Sequence, residues 1–395
     1  MKFDNDRALT KIAGCLLLMA TASTAQSSRS GSTELSSIIS HAPFTQLGIS
    51  SWAAGGTGVV DVGNPAAAFS NPAALRCNTL TGYVEFGRRL PTTWIVGIDY
   101  DNQYLLPAFV SLGTRTDLLN VSFGYANTYN EHPSFSILET TADDPEGTGR
   151  YFEFERSVKT HVFFGSFARR MGDDISLGIT LGINYLRYDE FIVSSGSGSG
   201  VGMAVNAGGI FQATRSLVIG GSLRYISTIN FNVSFPSQSV LVPPDSSGYN
   251  LRFVQLAFPY TAKFPVGFEI GGKWDVFTPL TLMASFETQI WTGVTSGVFK
   301  NIVDIHLGAS YEFTPAFSGS IGFFTHHEPN TFNSAYLDQN FVTAGFRWKT
   351  DELVSISASI LDSHFFSNNA PVDYSNREYQ HFNQTYVAMG VGYAF

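Results

Sequence analysis

Large apolar residues alternate with small or polar residues along most of this chain. The C-terminal segment 384–395 shows the pattern clearly, because Val387, Met389 and Val391 share one face while Ala388 and Gly390 lie on the other. Successive side chains of a β-strand point to opposite faces, so a period of two predicts a strand with one apolar face. A soluble sheet and a membrane barrel both show this pattern. The recurrence and spacing of such segments must therefore decide between a soluble sheet and a membrane barrel.

Fourteen segments with this period are predicted as strands, and 93–99 is also strand-like. The predicted strands are 79–89, 102–112, 117–129, 151–170, 174–188, 201–213, 216–230, 264–275, 279–291, 301–313, 316–327, 340–349, 353–366 and 384–395.

The connections between these strands alternate in length. Tight connections are predicted at 113–116, 171–173, 214–215, 276–278, 314–315 and 350–352. Long connections are predicted at 90–101, 130–150, 189–200, 231–263, 292–300, 328–339 and 367–383. Short periplasmic turns and longer outer loops are typical of outer-membrane β-barrels, and a β-sandwich has no reason to keep this alternation. An even number of strands also places both barrel ends on the periplasmic side.

Charged residues in the predicted strands lie opposite the large apolar residues of the same strand. A barrel turns its apolar face to lipid, so the charged face should line the lumen. The predicted lumen residues are Arg224, Glu269, Lys273, Glu287, His306 and Arg347. A slip of one residue would place basic side chains in hydrocarbon, at about 2–4 kcal/mol each near the midplane.

The N-terminus has the features of a secretory signal peptide, assigned to residues 1–25. Lys2, Arg7 and Lys11 precede the apolar run 12–20, which is too short to span a membrane, and small residues follow at 23–25. Removal of this segment would leave Cys77 as the only cysteine, so no internal disulfide would be possible.

Composition agrees with a barrel in the bacterial outer membrane. The chain has 34 Phe, 17 Tyr and 38 Gly, and only 14% of its residues are charged. The formal net charge of −9 argues against nucleic-acid binding through a broad basic face. The predicted fold is therefore all-β: a transmembrane antiparallel β-barrel of about 14 strands over residues 79–395.

Residues 26–78 do not read as strands, and two interpretations are open. One is a periplasmic leader; the other, which we favour, is a small plug folded into the barrel mouth. The stretch 53–75 is rich in small residues and carries a single charge, Asp61. Asn71-Pro72 is suited to cap a short helix, with Pro72 at its first position and Ala73 following.

The block GTGVVDVGNPAAAFSNPAAL, residues 56–75, resembles the N-terminal hatch of the FadL/TodX family of long-chain fatty-acid and hydrocarbon transporters. Segments 264–291 and 303–324 and the final strand are also similar to that family. PorV-like barrels of type IX secretion share a similar block, so a structural or secretion-linked barrel that binds protein partners is the alternative.

The resemblance implies a non-enzymatic protein for passive uptake of hydrophobic or amphipathic small molecules. In the family, a substrate is captured between outer loops, the hatch moves, and the substrate leaves through a lateral gap at the third strand. In this chain Gly124 and Asn127 are the possible kink points of that strand. The expected partners are the substrate, outer-membrane lipid and lipopolysaccharide, and the barrel-assembly machinery, which would engage the strand that ends at Phe395.

Two long loops, 130–150 and 231–263, are predicted to form an apolar capture surface. Exposed apolar patches usually mark binding sites. The second loop supplies the candidate binding residues Phe235, Phe253 and Phe258 together with the candidate head-group ligands Arg252 and Lys263. The alternative is that these residues pack only on each other or lengthen the neighbouring strands.

No cofactor or catalytic site is predicted. His326 and His327 are adjacent in a strand and therefore point to opposite faces, which argues against a shared metal ion. The run 194–200, SSGSGSG, is interpreted as a flexible loop and not as a phosphate-binding loop, because no helix follows it.

Overall fold

The computed structural model describes most of the barrel and parts of the N-terminal segment. The described residues are 33–34, 48–63, 66–77, 80–90, 92–95, 98–100, 107–131, 133–138, 151–191, 195–245, 248–292, 294, 299–329, 338–350, 353–366 and 383–394. The predicted signal peptide lies outside them.

The strands, numbered in chain order, belong to one sheet. They are β1 Thr33–Glu34, β2 Thr81–Arg89, β3 Thr92–Ile95, β4 Ile98–Tyr100, β5 Pro107–Arg115, β6 Asn120–Glu131, β7 Pro133–Leu138, β8 Tyr151–Met171, β9 Ile175–Phe191, β10 Ser195–Gln212, β11 Leu217–Ile226, β12 Ile229–Asp245, β13 Gly248–Ala262, β14 Val266–Phe277, β15 Leu280–Ile290, β16 Ile302–Thr314, β17 Phe317–His326, β18 Gln339–Lys349, β19 Val354–Asp362 and β20 Thr385–Ala394.

Within the described residues, fourteen of these strands close an antiparallel barrel. The wall order is β2, β5, β6, β8, β9, β10, β11, β14 to β20, and then β2 again. Closure is made by β2 and β20, which pair from Thr81 with Ala394 to Arg89 with Tyr386. The predicted all-β barrel and its strand count are therefore confirmed.

The strand faces follow the predicted register. In β9 the odd-numbered residues from Ile175 to Leu181 are exposed, while Ser176, Thr180 and Asn184 on the other face are buried. Exposed apolar side chains cover the outside of the other wall strands as well, and Trp274 and Trp348 lie exposed beside periplasmic turns. The exterior is thus apolar, and the buried polar groups face inward, as a bilayer requires.

Three predicted outer loops are instead built largely from strands, and those predictions are wrong. The segment 90–101 contains the pair β3 and β4, in keeping with the strand-like stretch 93–99, and β7 occupies part of a fourth predicted loop, 130–150. The segment 189–200 is mostly ladder, because β9 runs to Phe191 and β10 begins at Ser195. The segment 231–263 is the hairpin of β12 and β13, which lengthens β11 and β14. These strands can continue past their predicted ends because pairing within each hairpin satisfies their backbone amides and carbonyls.

Short helices occur in residues 48–63 and 66–77, the other described part of the N-terminal segment. They are α1 Ile49–Ala53, α2 Ala67–Ser70, and the 3₁₀ turns Gly58–Val60 and Pro72–Ala74. As predicted, Asn71 caps the last turn, because its side-chain oxygen accepts a hydrogen bond from the Ala73 amide at 3.1 Å. No helix in the described part of the chain is long and apolar enough to cross a membrane.

The lipid-facing register can be tested by comparing arginine substitutions at two depths of the same strand. Leu181 lies near mid-height on the exposed face of β9, and Ile175 is the first residue after a turn. We expect Leu181→Arg to lower the free energy of unfolding by about 2–4 kcal/mol and Ile175→Arg by about 0–1 kcal/mol, measured by denaturant titration in lipid vesicles. Equal effects of the two changes would contradict the register.

Candidate functional site

Residues 48–63 and 66–77 of the N-terminal segment lie against the inner wall of the barrel, where glycines make room for them. A methyl group at Gly208 of β10 would overlap the side-chain oxygen of Asn71, and one at Gly178 of β9 would overlap the Pro72–Ala73 peptide. Glycine permits this close approach of two backbones.

Hydrogen bonds hold this part of the segment together and join it to the wall. Asn71 Nδ2 donates to the carbonyls of Val59 at 2.7 Å and Gly209 at 3.2 Å. Ser176 Oγ donates to the Ala73 carbonyl at 2.8 Å, and the Asn206 amide donates to the carbonyl of Phe69. Asn206 and Ser176 were not singled out in the sequence, because only their inward position, and no motif, marks them.

A second contact fixes the stretch just after α1. The Thr343 hydroxyl donates to the Ala53 carbonyl and accepts from the Gly55 amide, both at 3.0 Å. His306 Nδ1 donates to the Gly55 carbonyl at 2.9 Å. Gly308 and Gly322 provide the space for this stretch. The segment is therefore held on opposite sides of the barrel.

Four of the six predicted lumen residues come together beside this contact. Arg224 forms an ion pair with Glu287, and His306 Nε2 lies 3.6 Å from Glu287 Oε2. Glu269 accepts a hydrogen bond from Ser285 at 2.8 Å. All four are at least 95% buried, so their mutual contacts offset the loss of hydration.

Lys273 and Arg347 do not join this cluster. Lys273 lies 4.0 Å from Asp275 with 31% of its side chain exposed. Arg347 is exposed near the periplasmic end of β18, on the face of that strand that carries the buried Thr343.

The hairpin of β12 and β13 packs onto the inner faces of β8 and β9 near the outer mouth. We call the result the outer apolar cluster: Tyr129, Val158, Leu186, Tyr188, Ile229, Phe231, Val233, Tyr260, Ala262 and Phe264. Its aromatic rings are in contact, with centroids of Tyr188 and Tyr260 5.3 Å apart and those of Phe231 and Tyr260 5.9 Å apart. The hairpin therefore bends inward over the barrel.

The serine–glycine run is the surface that receives this hairpin, and its interpretation as a flexible loop is wrong. From Ser195 it is part of β10, and its glycines lie on the inner face. Methyl groups at Gly198 and Gly200 would overlap Asn232 and Ile229 of β12. Alternating glycines thus leave a flat groove along the wall, and β12 lies in that groove.

A polar contact accompanies the apolar packing at the mouth. Tyr188 and Tyr260 both donate from their hydroxyl groups to Glu190 Oε2, at 2.7 and 3.3 Å. Arg156 lies 3.9 Å from the other carboxylate oxygen. Because Tyr260 belongs to the hairpin and Glu190 to the wall, this contact ties the hairpin to the barrel.

The candidate binding residues are placed only in part. Phe235 and Phe258 contact each other with ring centroids 5.8 Å apart and pack against the outer apolar cluster. Lys263 is half-buried at the end of the hairpin. The side chains of Arg252 and Phe253 lie outside the described residues, and a role of any of the five in substrate binding stays a prediction.

A second buried group, the inner apolar cluster, lies deeper in the barrel. It consists of Ala66, Phe69, Leu75, Cys77, Tyr83, Phe109, Ala126, Val162, Phe164 and Ala168. It joins the N-terminal segment to β2, β5, β6 and β8. The ring of Phe164 packs over Gly124 of β6, and the pairing of β6 with β8 shifts register between Asn127 and Tyr129. The pairing of β6 with β5 is unbroken through Gly124.

The adjacent residues His326 and His327 at the end of β17 differ in their burial and contacts. His326 is buried, whereas His327 Nδ1 lies 2.7 Å from Asp304. The hydrogen bond to Asp304 raises the pKa of His327. In the described residues no group of three or more potential metal ligands forms a site.

Several solved structures share this fold. The toluene transporter TbuX of Ralstonia pickettii superposes with a TM-score of 0.65 at 14% identity, covering 88% of this chain and 98% of that chain. The toluene transporter TodX of Pseudomonas putida gives 0.63 at 14% identity, covering 88% and 98%. A FadL homologue of Pseudomonas aeruginosa gives 0.58 at 15% identity, covering 89% and 99%.

No family model and no curated protein matches the sequence. The likeness is therefore one of three-dimensional structure over nearly the whole chain. Together with the apolar exterior, it defines the class of this protein: an outer-membrane β-barrel with the FadL-type fold.

The contact between segment and wall can be tested with two neighbouring glycines. A methyl group at Gly208 would overlap Asn71, whereas at Gly209 on the lipid side the nearest atom would be 3.6 Å away. We expect Gly208→Ala to lower the free energy of unfolding by about 1–3 kcal/mol, because it overpacks the interface, and Gly209→Ala to have little effect. A stability as high for Gly208→Ala as for Gly209→Ala would exclude the contact.

The groove under the hairpin allows a similar comparison. Gly200→Val places a branched side chain against Ile229, while Ser199→Val on the same strand points outward. We expect Gly200→Val to displace the hairpin and make it sensitive to added protease in intact cells. Ser199→Val should remain resistant. Equal resistance of both variants would show that the hairpin does not depend on the groove.

Proposed function

We propose that this barrel mediates passive uptake of hydrophobic or amphipathic small molecules across the bacterial outer membrane. Long-chain fatty acids and monoaromatic hydrocarbons are the candidate substrates. The observation that carries the proposal is the pair of apolar clusters along one side of the barrel interior, one at the mouth and one beside β6. Buried apolar groups that follow one another along a wall offer an apolar substrate a continuous surface.

The route begins at the hairpin of β12 and β13. Phe235 and Phe258 lie at the edge of the outer apolar cluster and are partly buried, so a substrate can contact them first. Leu186, Tyr188 and Ile229 are fully buried, so passage requires the hairpin to shift away from the wall. The contacts of Tyr260 with Glu190 and Tyr188 would have to open in that step.

The N-terminal segment would act as the plug that directs the substrate sideways. Phe69 and Leu75 belong to the inner apolar cluster together with Phe109 and Ala126 of the wall. The candidate exit therefore lies beside β6, whose pairing with β8 shifts register between Asn127 and Tyr129. We also propose that residues 1–25 direct export and that residues 26–78 form the plug.

Transport of this kind is driven by the concentration gradient, because the outer membrane has no ATP supply. Arg224 and Glu287 of the wall contact each other and His306 contacts the plug at Gly55, while the outer and inner apolar clusters lie inside the barrel. This arrangement supports passage of small molecules over docking of a protein partner.

Deletion of residues 235–256, with Ser234 and Ala257 joined by a short Gly-Ser linker, would test the proposal. Ser234 and Ala257 are partners in the ladder of β12 and β13, so a tight turn can connect them. We expect uptake of labelled long-chain fatty acid and of toluene to fall to the background of cells that lack the protein. The reason is that the capture surface, including Phe235, would be lost.

The control for this deletion is the state of the barrel itself. The shortened protein should still be inserted in the outer membrane and should still change its gel mobility on heating. Unchanged uptake by such an inserted barrel would remove the hairpin from the mechanism.

A further inference from the structure

Asn184 lies on the inner wall at the junction of the two apolar clusters. It is fully buried on the inward face of β9, two residues before Leu186 of the outer apolar cluster. Its partner across the ladder on β8 is Val162, a member of the inner apolar cluster, and its partner on β10 is Gly202. A molecule that moves from one cluster to the other along this wall must pass its side chain.

The amide of Asn184 has no hydrogen-bond partner among the described residues. This holds for both Oδ1 and Nδ2. Among the described residues, the buried Asn206 and Asn71 differ because each donates to backbone carbonyls, so that only Oδ1 of Asn206 has no partner, whereas in Asn184 both atoms lack one. Buried polar groups are nearly always paired, and the exceptions often have a functional reason.

The surroundings of Asn184 define the chemistry of a ligand that could bind there. Its ladder partners are Val162 and Gly202, and its neighbours on the same face of the strand are Gly182 and Leu186. None of these four carries a charge, so a carboxylate or an ammonium group would lose its hydration without gaining a counter-ion. An amide can donate and accept at once, which suits an uncharged hydroxyl or a protonated carboxyl group.

Access to this amide depends on the hairpin. A methyl group at Gly202, the partner of Asn184, would lie 2.8 Å from the side chain of Ile229, so Ile229 of β12 covers this part of the wall. Ile229 is itself fully buried in the outer apolar cluster. A ligand therefore reaches Asn184 when the hairpin moves and Ile229 is displaced.

We propose that Asn184 is the hydrogen-bonding subsite for the uncharged polar group of an amphipathic substrate, between two apolar surfaces that hold the rest of the molecule. The proposal rests on the uptake function inferred above and narrows its substrate class. It favours molecules with one neutral polar group, such as phenols and long-chain alcohols, over the hydrocarbons that lack this group.

The test compares p-cresol with toluene, which differ by a single hydroxyl group. Uptake of both is measured in cells, and binding of both is measured with the purified barrel in detergent. The variants are Asn184→Leu, which removes the amide at similar size, and Ile183→Leu, which changes the adjacent exposed position of the same strand. We expect Asn184→Leu to lower the preference for p-cresol over toluene about tenfold, as the loss of one hydrogen bond predicts, and Ile183→Leu to keep it.

Two further measurements separate the subsite from a structural role and from the transport function. Asn184→Leu should unfold at a higher temperature than the wild type, because it removes an unpaired buried amide, so a lower unfolding temperature would contradict the proposal. An unchanged p-cresol preference in a stable Asn184→Leu barrel would overturn the subsite alone. Failure of the wild type to take up either compound, while the purified barrel binds p-cresol through Asn184, would overturn the transport function and keep the subsite.

Discussion

The closed ladder of backbone hydrogen bonds is the constraint on which the rest of this structure depends. Lipid cannot satisfy backbone amides and carbonyls, so a sheet in the membrane must have no free edge. Pairing of β2 with β20 closes the sheet and fixes the register of every wall strand between them. The apolar exterior and the polar interior follow from that register, because successive side chains point to opposite faces.

Closure at this size creates an interior that the wall side chains alone do not fill. Residues 48–63 and 66–77 of the N-terminal segment occupy one part of it, and the hairpin of β12 and β13 fills the outer part. Both use glycine in the same way: Gly178 and Gly208 receive the backbone around Asn71, and Gly198 and Gly200 receive β12. The absence of a side chain on one face lets a second layer of chain approach the wall.

Much of the fold could be predicted from the sequence because strand period and barrel geometry are local properties. Alternation marked the wall strands, the charged faces of β14 to β16 identified the inward side, and Asn71-Pro72 indicated a capped turn. The structure of 231–263 could not be predicted, because apolar residues in a connection fit an open loop and a packed hairpin equally well.

The interior contacts are the least predictable part of the candidate site. The run SSGSGSG has the composition of a flexible linker, and only the position of its glycines on the inner face reveals a groove. Asn184 and Asn206 look alike in the sequence, yet Asn206 holds the N-terminal segment and Asn184 has no such partner among the described residues. Such differences arise from segments far apart in the chain, which no local pattern records.

The claim that the hairpin must leave the wall for transport can be measured directly by tethering it. Ser197 of β10 and Ser234 of β12 are ladder partners, so cysteines at both positions lie within the range for a disulfide. In a Cys77→Ser background, we expect oxidation of the Ser197→Cys, Ser234→Cys variant to stop toluene uptake and reduction to restore it, while each single cysteine variant is unaffected. Uptake at the same rate in the oxidised and reduced states would contradict this account.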